Sequence, residues 1–166
     1  MPGNSITFPV TILYHFNMGY PLLSADAKLL TSCSYIEARS GRNNLSANER
    51  QGFAKPSEAF DEDCYYYKQK AIVDGKSFTA LINEKLNLGV AVWVNPDELP
   101  MLTNWQKPAS GEYIMGIEPS NCLVEGVKYQ KKIGELEMIK AGSKKQVTVE
   151  VEILGSSRID ELKQMI

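Results

Sequence analysis

The sequence predicts an all-β protein, an antiparallel sandwich, and three observations carry that expectation. Several segments alternate apolar and polar residues with a period of two, which places one side chain in two on a buried face. Runs of β-branched and aromatic residues recur along the chain, separated by short polar connections. Helical spacing is confined to one segment at the end, and strands that do not alternate with helices favour antiparallel sheets over a parallel α/β fold.

The elements are expected in the following order. From Ile6 to Phe16, the residues Ile6, Phe8, Val10, Ile12, Tyr14 and Phe16 alternate with Thr7, Pro9, Thr11, Leu13 and His15, so a strand is predicted with His15 and Asn17 facing away from its apolar side. Pro9 cannot donate to a ladder and belongs near the strand's start, at an edge or at a bulge. Segments 64–69, 77–83 and 88–94 are further strands, the last two joined as a hairpin across EKLN. Segments 113–119, 134–139 and 145–154 continue the series, the last two joined across KAGS. Between the strands, 40–63 is a long polar stretch without strand or helix periodicity, expected as an ordered excursion or a loop. Only SSRIDELKQMI has helical spacing, with Ile159, Leu162 and Ile166 on one side and Ser157 as a candidate N-cap.

At 166 residues the chain suits one domain, spanning 1–166, that buries roughly 70% of the surface its unfolded chain exposes. The hydrophobic fraction of 43% and charged fraction of 23% are those of a globular protein rather than a disordered or fibrous one. No run of eighteen apolar residues occurs, and the start MPGNS lacks the basic and apolar regions of a signal peptide; no membrane association is expected. A formal charge of −2, with cations scattered among acids, provides no basic stripe for a phosphate backbone, so nucleic acid is not an expected partner. Cys33, Cys64 and Cys122 are odd in number and far apart, which fits neither a disulfide framework nor a CxxC site, and makes the cytoplasm the expected compartment. Asn44-Leu45-Ser46 matches a glycosylation sequon, read as a polar loop in the absence of a secretory signal.

Several chemistries fall away. The chain has no GxGxxG or GxxxxGK[ST] phosphate loop, no GxSxG elbow and no HExxH, and its single histidine cannot supply a His-rich zinc site. No metal is expected. Two polar groups on strands remain: His15, whose imidazole type titrates near neutrality, and Glu118, two residues after Gly116 on the same face, where the missing side chain leaves room for a ligand. Taken alone, a lone strand histidine is as often hydrogen-bonded packing as a functional group, and a glutamate before proline at a strand end is more often a solvated carboxylate.

The wording of two segments goes further. LYHFNMGYPLL (13–23) and LTNWQKPASGEYIMGIEPSNC (102–122) together resemble the galactose mutarotase (aldose 1-epimerase) superfamily, most closely a bacterial aldose 1-epimerase-like branch. Tyr14, His15, Phe16, Asn17, Gly19, Tyr20 and Pro21 match its first motif; Trp105, Tyr113, Gly116, Glu118, Pro119 and Asn121 match its second. The resemblance also takes in Arg42 and Glu62. It implies a histidine that protonates the ring oxygen of a sugar and a glutamate that takes the proton from the anomeric hydroxyl. The ring opens, the C1–C2 bond rotates, and reclosure gives the other anomer. Aligning Phe16-Asn17 with the family's Phe-Asn puts His15 two positions beyond the usual catalytic histidine, on the same strand face but displaced by roughly 6–7 Å. Gln106 stands where the branch usually has lysine.

The resemblance therefore implies an isomerase of free sugars or sugar derivatives, with His15 as general acid and Glu118 as general base. Asn17, Arg42, Trp105 and Asn121 would bind or stack on the sugar, and no cofactor is implied. Family members are about twice this length, so the chain is expected to correspond to a carboxy-terminal half that self-associates or joins an amino-terminal half. Two rival readings are a non-catalytic carbohydrate-binding module and a glycoside hydrolase pairing Glu118 with Glu62, which requires the carboxylates to stand roughly 5–9.5 Å apart.

Overall fold

The computed structural model describes residues 6–42, 44–58 and 61–166. In chain order the elements are β1 (Thr7–Pro9), β2 (Phe16–Gly19), β3 (Lys28–Thr31), β4 (Ser34–Ser40), α1 (Ala47–Gln51), β5 (Asp63–Lys68), β6 (Ser77–Asn83), β7 (Leu88–Val94), β8 (Met101–Ala109), β9 (Glu112–Ser120), α2 (Val127–Ile133), β10 (Met138–Lys140), β11 (Val149–Leu154) and α3 (Ser156–Gln164). A five-stranded sheet runs β2-β9-β8-β5-β4, a four-stranded sheet β11-β7-β6-β3, and β1 and β10 form a separate ribbon. All strand pairs within these sheets are antiparallel. The expected all-β antiparallel sandwich is the fold.

The period-two pattern explains how the two larger sheets meet. Tyr65 and Tyr67 of β5, Leu102 of β8, and Met115 and Ile117 of β9 turn toward Leu29, Leu81, Val92 and Val94 of β3, β6 and β7 to form one core. Each such side chain, withdrawn fully from water, contributes roughly 1.5–3 kcal/mol, and one apolar face per sheet therefore suffices to hold the sandwich together. The four-stranded sheet uses its second face too: Phe78, Ala80, Ile82 and Trp93 pack beneath Ile159 and Leu162 of α3. No corresponding apolar cluster covers the outer face of the five-stranded sheet among the described residues. That face carries the polar groups.

The hairpin β6-β7 and its EKLN connection appear as expected, with Asn87 in the left-handed region at φ 52°. The single strand expected over 6–16 is instead divided. Residues 7–9 pair with β10, Leu13 bridges to Ser120, and regular pairing with β9 begins at Phe16. Pro9, which lacks an amide hydrogen, ends the first piece. The hairpin expected across KAGS does not form either, because β10 is taken up by β1 and β11 by β7. Strands β3, β4 and β8 went unanticipated: on the core-facing side of β8, Leu102 is followed by the buried polar residues Asn104 and Gln106, which conceals its period.

Two helices also lie outside the expectation of one. Helix α1 sits within the polar stretch 40–63, whose residues 43, 59 and 60 fall outside the described set, and is nucleated by a capping box between Ser46 and Glu49. The serine of the sequon is thus the helix cap. Helix α2 is bounded by Gly126 and Gly134, and Gly134 adopts φ 78°, the left-handed cap that glycine accepts without strain. The end helix begins at Ser156, with Gly155 as N-cap in place of Ser157. No helix among the described residues is long and apolar enough to cross a membrane.

Candidate active site

The site is built on the outer face of the five-stranded sheet. The register pairs Phe16 with Ile117 and Asn17 with Gly116, while the Tyr14 amide donates to the Pro119 carbonyl at 3.0 Å. His15 is thereby set directly across from Glu118, and both face away from the core that receives Phe16 and Ile117. His15 Nε2 and Glu118 Oε1 are 2.7 Å apart. The imidazole is 43% exposed, whereas Glu118 is 4% exposed.

Gly116 makes that contact possible. An added Cβ there would lie 2.5 Å from Glu118 Oε1 and 3.1 Å from His15 Cε1, so only glycine leaves the carboxylate its place. From the core side, the buried Asn104 amide donates to the Gly116 carbonyl at 3.1 Å and fixes the backbone under the pair. Burial pushes the Glu118 carboxyl up to about 7, since the charged form is the one that loses hydration. Near neutral pH, the buried carboxyl thus exchanges its proton readily, with an imidazole in contact.

Trp105 of β8 pairs with Gly116 and stands against His15 edge to face, with ring centroids 5.9 Å apart and planes at 66°. Its indole N–H donates to Glu62 Oε2 at 2.9 Å, and Glu62 Oε1 accepts from Ser40 at 3.3 Å. Both oxygens of Glu62 are therefore engaged in orienting the aromatic wall. His15, Glu118, Trp105 and Glu62, together with Thr103 and Arg39, line a depression of about 300 Å³. Arg39 Nε donates to Glu125 Oε1 at 2.8 Å, and the Tyr66 hydroxyl donates to the same oxygen at 2.7 Å. These two bonds, the tyrosine's foremost, hold the Glu125 carboxyl below the usual carboxylate range. The Thr103 hydroxyl is buried and has no partner among the described residues. Cys64 also borders the depression, and burial pushes its thiol up to about 11, which makes it a poor nucleophile at neutral pH.

Of the residues singled out in the sequence, His15, Glu118 and Trp105 are brought together, with Asn17 exposed two residues beyond His15 on the same strand face. Arg42 and Asn121 do not line the depression. Arg42 bonds the buried Asp63 carboxylate through its backbone N–H at 2.7 Å and through its guanidinium at 2.9 Å, and Asp63 lies on the core side of β5. Asn121 accepts from the Ile12 amide at 2.7 Å and donates to the Val10 carbonyl at 3.0 Å and to Glu137 at 2.8 Å, pinning the segment that leads to His15. Arg39 and Thr103 were not foreseen. Arg39 alternates with the core residue Ala38, a signal that becomes usable once β4 is recognised as a strand.

Two solved structures are similar to this one. The "putative aldose 1-epimerase" from Klebsiella pneumoniae subsp. pneumoniae matches 95% of this chain at TM-score 0.85 and 23% identity, over 42% of its own length. A galactose mutarotase-like protein from Clostridium acetobutylicum matches 91% of this chain at TM-score 0.56 and 17% identity, over 49% of its own length. The chain thus spans less than half of each structure, and likeness at these identities shows a shared fold. No curated protein matches the chain. A family model described as a domain of unknown function, DUF4432, matches residues 4–153, and the chain belongs to that family.

Proposed function

We propose that the depression is the active site of an aldose 1-epimerase-like isomerase, which interconverts the anomers of a free sugar by opening and reclosing its ring. The observation that supports this reading above all is the His15–Glu118 pair, 2.7 Å apart over the space left by Gly116. Mutarotation needs one proton delivered and one removed at two oxygens bonded to the same carbon, so an acid and a base held side by side suit it.

In this reading the Glu118 carboxylate takes the proton from the anomeric hydroxyl while protonated His15 gives its proton to the ring oxygen. The bond between C1 and the ring oxygen breaks, and its electron pair stays on that oxygen. The electrons released by the O1 proton form the C1 carbonyl. Rotation about C1–C2 turns the other carbonyl face to the ring hydroxyl; reclosure returns one proton to His15 and one from Glu118 to O1. A carboxyl at about 7 is a stronger base than an ordinary glutamate, which matches the demand for proton transfer near neutral pH. Trp105 offers an apolar wall to the sugar ring, and Asn17 and Arg39 supply hydrogen-bond donors. The proton transfers themselves require no cofactor.

The test follows anomer interconversion by polarimetry or proton NMR across a panel of free sugars. The wild type accelerates conversion of at least one, and His15→Asn or Glu118→Gln lowers the rate by roughly 10²–10⁴-fold with the fold intact. Sugar binding without conversion would favour a carbohydrate-binding module, and cleavage of a glycosidic bond would favour hydrolysis.

A further inference from the structure

The outer sheet face does not end at the first depression. On β9, Glu118, Gly116, Ile114 and Glu112 share one face, and on β8 Thr103, Trp105 and Lys107 stand beside them in register. A second depression of about 540 Å³ lies at the far end of this track, lined by Trp105, Lys107, Glu112 and Ile114 beside the β8-β9 turn. Trp105 borders both depressions. Lys107 and Glu112 form an ion pair across the strands, with side chains 34% and 62% exposed.

We propose that the second depression binds the next ring of a reducing oligosaccharide, so that the preferred substrate is a disaccharide or longer sugar rather than a monosaccharide. This rests on the reading of the first depression as a sugar site. Two strand positions cover roughly 6–7 Å, so the step from Gly116 to Ile114 and Glu112 spans the length of one or two pyranose rings. A reducing-end ring over Gly116 places its anomeric carbon at His15 and Glu118, and its glycosidic neighbour over Ile114. The chemistry of the track fits that occupant. Ile114 and the Trp105 indole offer apolar surface for a ring face, while Lys107 donates and Glu112 accepts hydrogen bonds at its rim. The opposite charges offset each other, which suits a neutral polyhydroxylated ring better than an anionic one.

The experiment compares α-glucose and α-galactose with freshly dissolved maltose, cellobiose and lactose, in wild type and in Glu112→Ala and Ile114→Ala. At least one disaccharide is expected to show a kcat/KM about tenfold above its parent monosaccharide, and each variant to remove that advantage through KM while monosaccharide conversion is unchanged. Equal kcat/KM for both sugar classes, or variants that depress both alike, would overturn the proposal. If the wild type converts no sugar, the isomerase reading fails separately, and saturation-transfer NMR decides the subsite. Disaccharide binding weakened by Glu112→Ala upholds a two-ring site; no binding, or binding insensitive to both variants, refutes it.

Discussion

Substituting Gly116 by alanine tests the site through the smallest possible change. The new Cβ would meet Glu118 Oε1 at 2.5 Å, its carboxyl carbon at 3.3 Å and His15 Cε1 at 3.1 Å. Ordinary contact begins at about 3.5 Å, so the carboxylate oxygen must retreat by about 1 Å. It is the end of a flexible side chain and can do so, and the extended backbone at residue 116 accepts alanine, which restricts the unfolded chain by about 0.4–1 kcal/mol in favour of folding. Stability should therefore change by less than about 1 kcal/mol in either direction, a figure that urea denaturation can verify. Misplacing a catalytic group by about 1 Å, in contrast, costs on the order of 10²-fold in rate. The assay is anomer interconversion, supported by NMR of the imidazole. His15 is the only histidine, and its ring resonances report the lost contact directly. Gly19→Ala is the control, because a Cβ there meets only the Tyr113 carbonyl at 3.9 Å. Full activity and unshifted imidazole resonances in Gly116→Ala would refute the claim that this glycine seats the pair.

Glu118→Gln should stabilise the protein at alkaline pH. The carboxyl is raised from 4.5 to about 7 by burial, so between those values the unfolded chain ionises first and stability falls as pH rises, remaining low above 7. Glutamine removes that penalty, giving a gain of about 3 kcal/mol at pH 8 that vanishes at pH 4; a pH-independent difference would contradict the burial argument. Asn121→Ala removes three hydrogen bonds that pin residues 10–12 and Glu137, and should destabilise by about 3 kcal/mol in urea denaturation; a rise in KM without loss of stability would instead return Asn121 to the sugar site. The edge strand β11 exposes Val151 at 53% and Ile153 at 68%, and Ile6 and Phe8 of the ribbon are similarly uncovered. Concentration-dependent association should appear in light scattering and weaken with Ile153→Lys, whereas a monodisperse monomer would show that these edges need no cover.

Much of the fold could be anticipated where local pattern and tertiary role coincide. The hairpin β6-β7 lies at the bounds expected from SFTALIN and LGVAVWV, because both strands are β-branched, apolar and joined by a short polar turn. Strand β8 escaped notice because Asn104 and Gln106 occupy core-facing positions, where they hydrogen-bond to each other at 2.8 Å instead of adding apolar signal. Helix α1 escaped because its stability comes from the reciprocal Ser46–Glu49 cap rather than from an apolar stripe.

The sequence by itself determined the strand-rich composition, the apolar and polar faces around His15 and Glu118, and the absence of phosphate-loop and zinc motifs. These are local properties, written in side-chain period and residue type. Only the tertiary structure decided which distant residues meet. The antiparallel register of β2 on β9 sets His15 across from Glu118, 103 positions away in the chain, and a slip of one residue would turn one of them into the core. The same pairing gives Gly116 its function, since what a missing side chain vacates depends on its neighbours across the sheet. Arg42 and Asn121 show the converse. Their residue types suit sugar binding, yet packing places their polar groups against Asp63, Glu137 and the backbone of residues 10–12, because a buried carboxylate or amide left unpaired costs more than an exposed one.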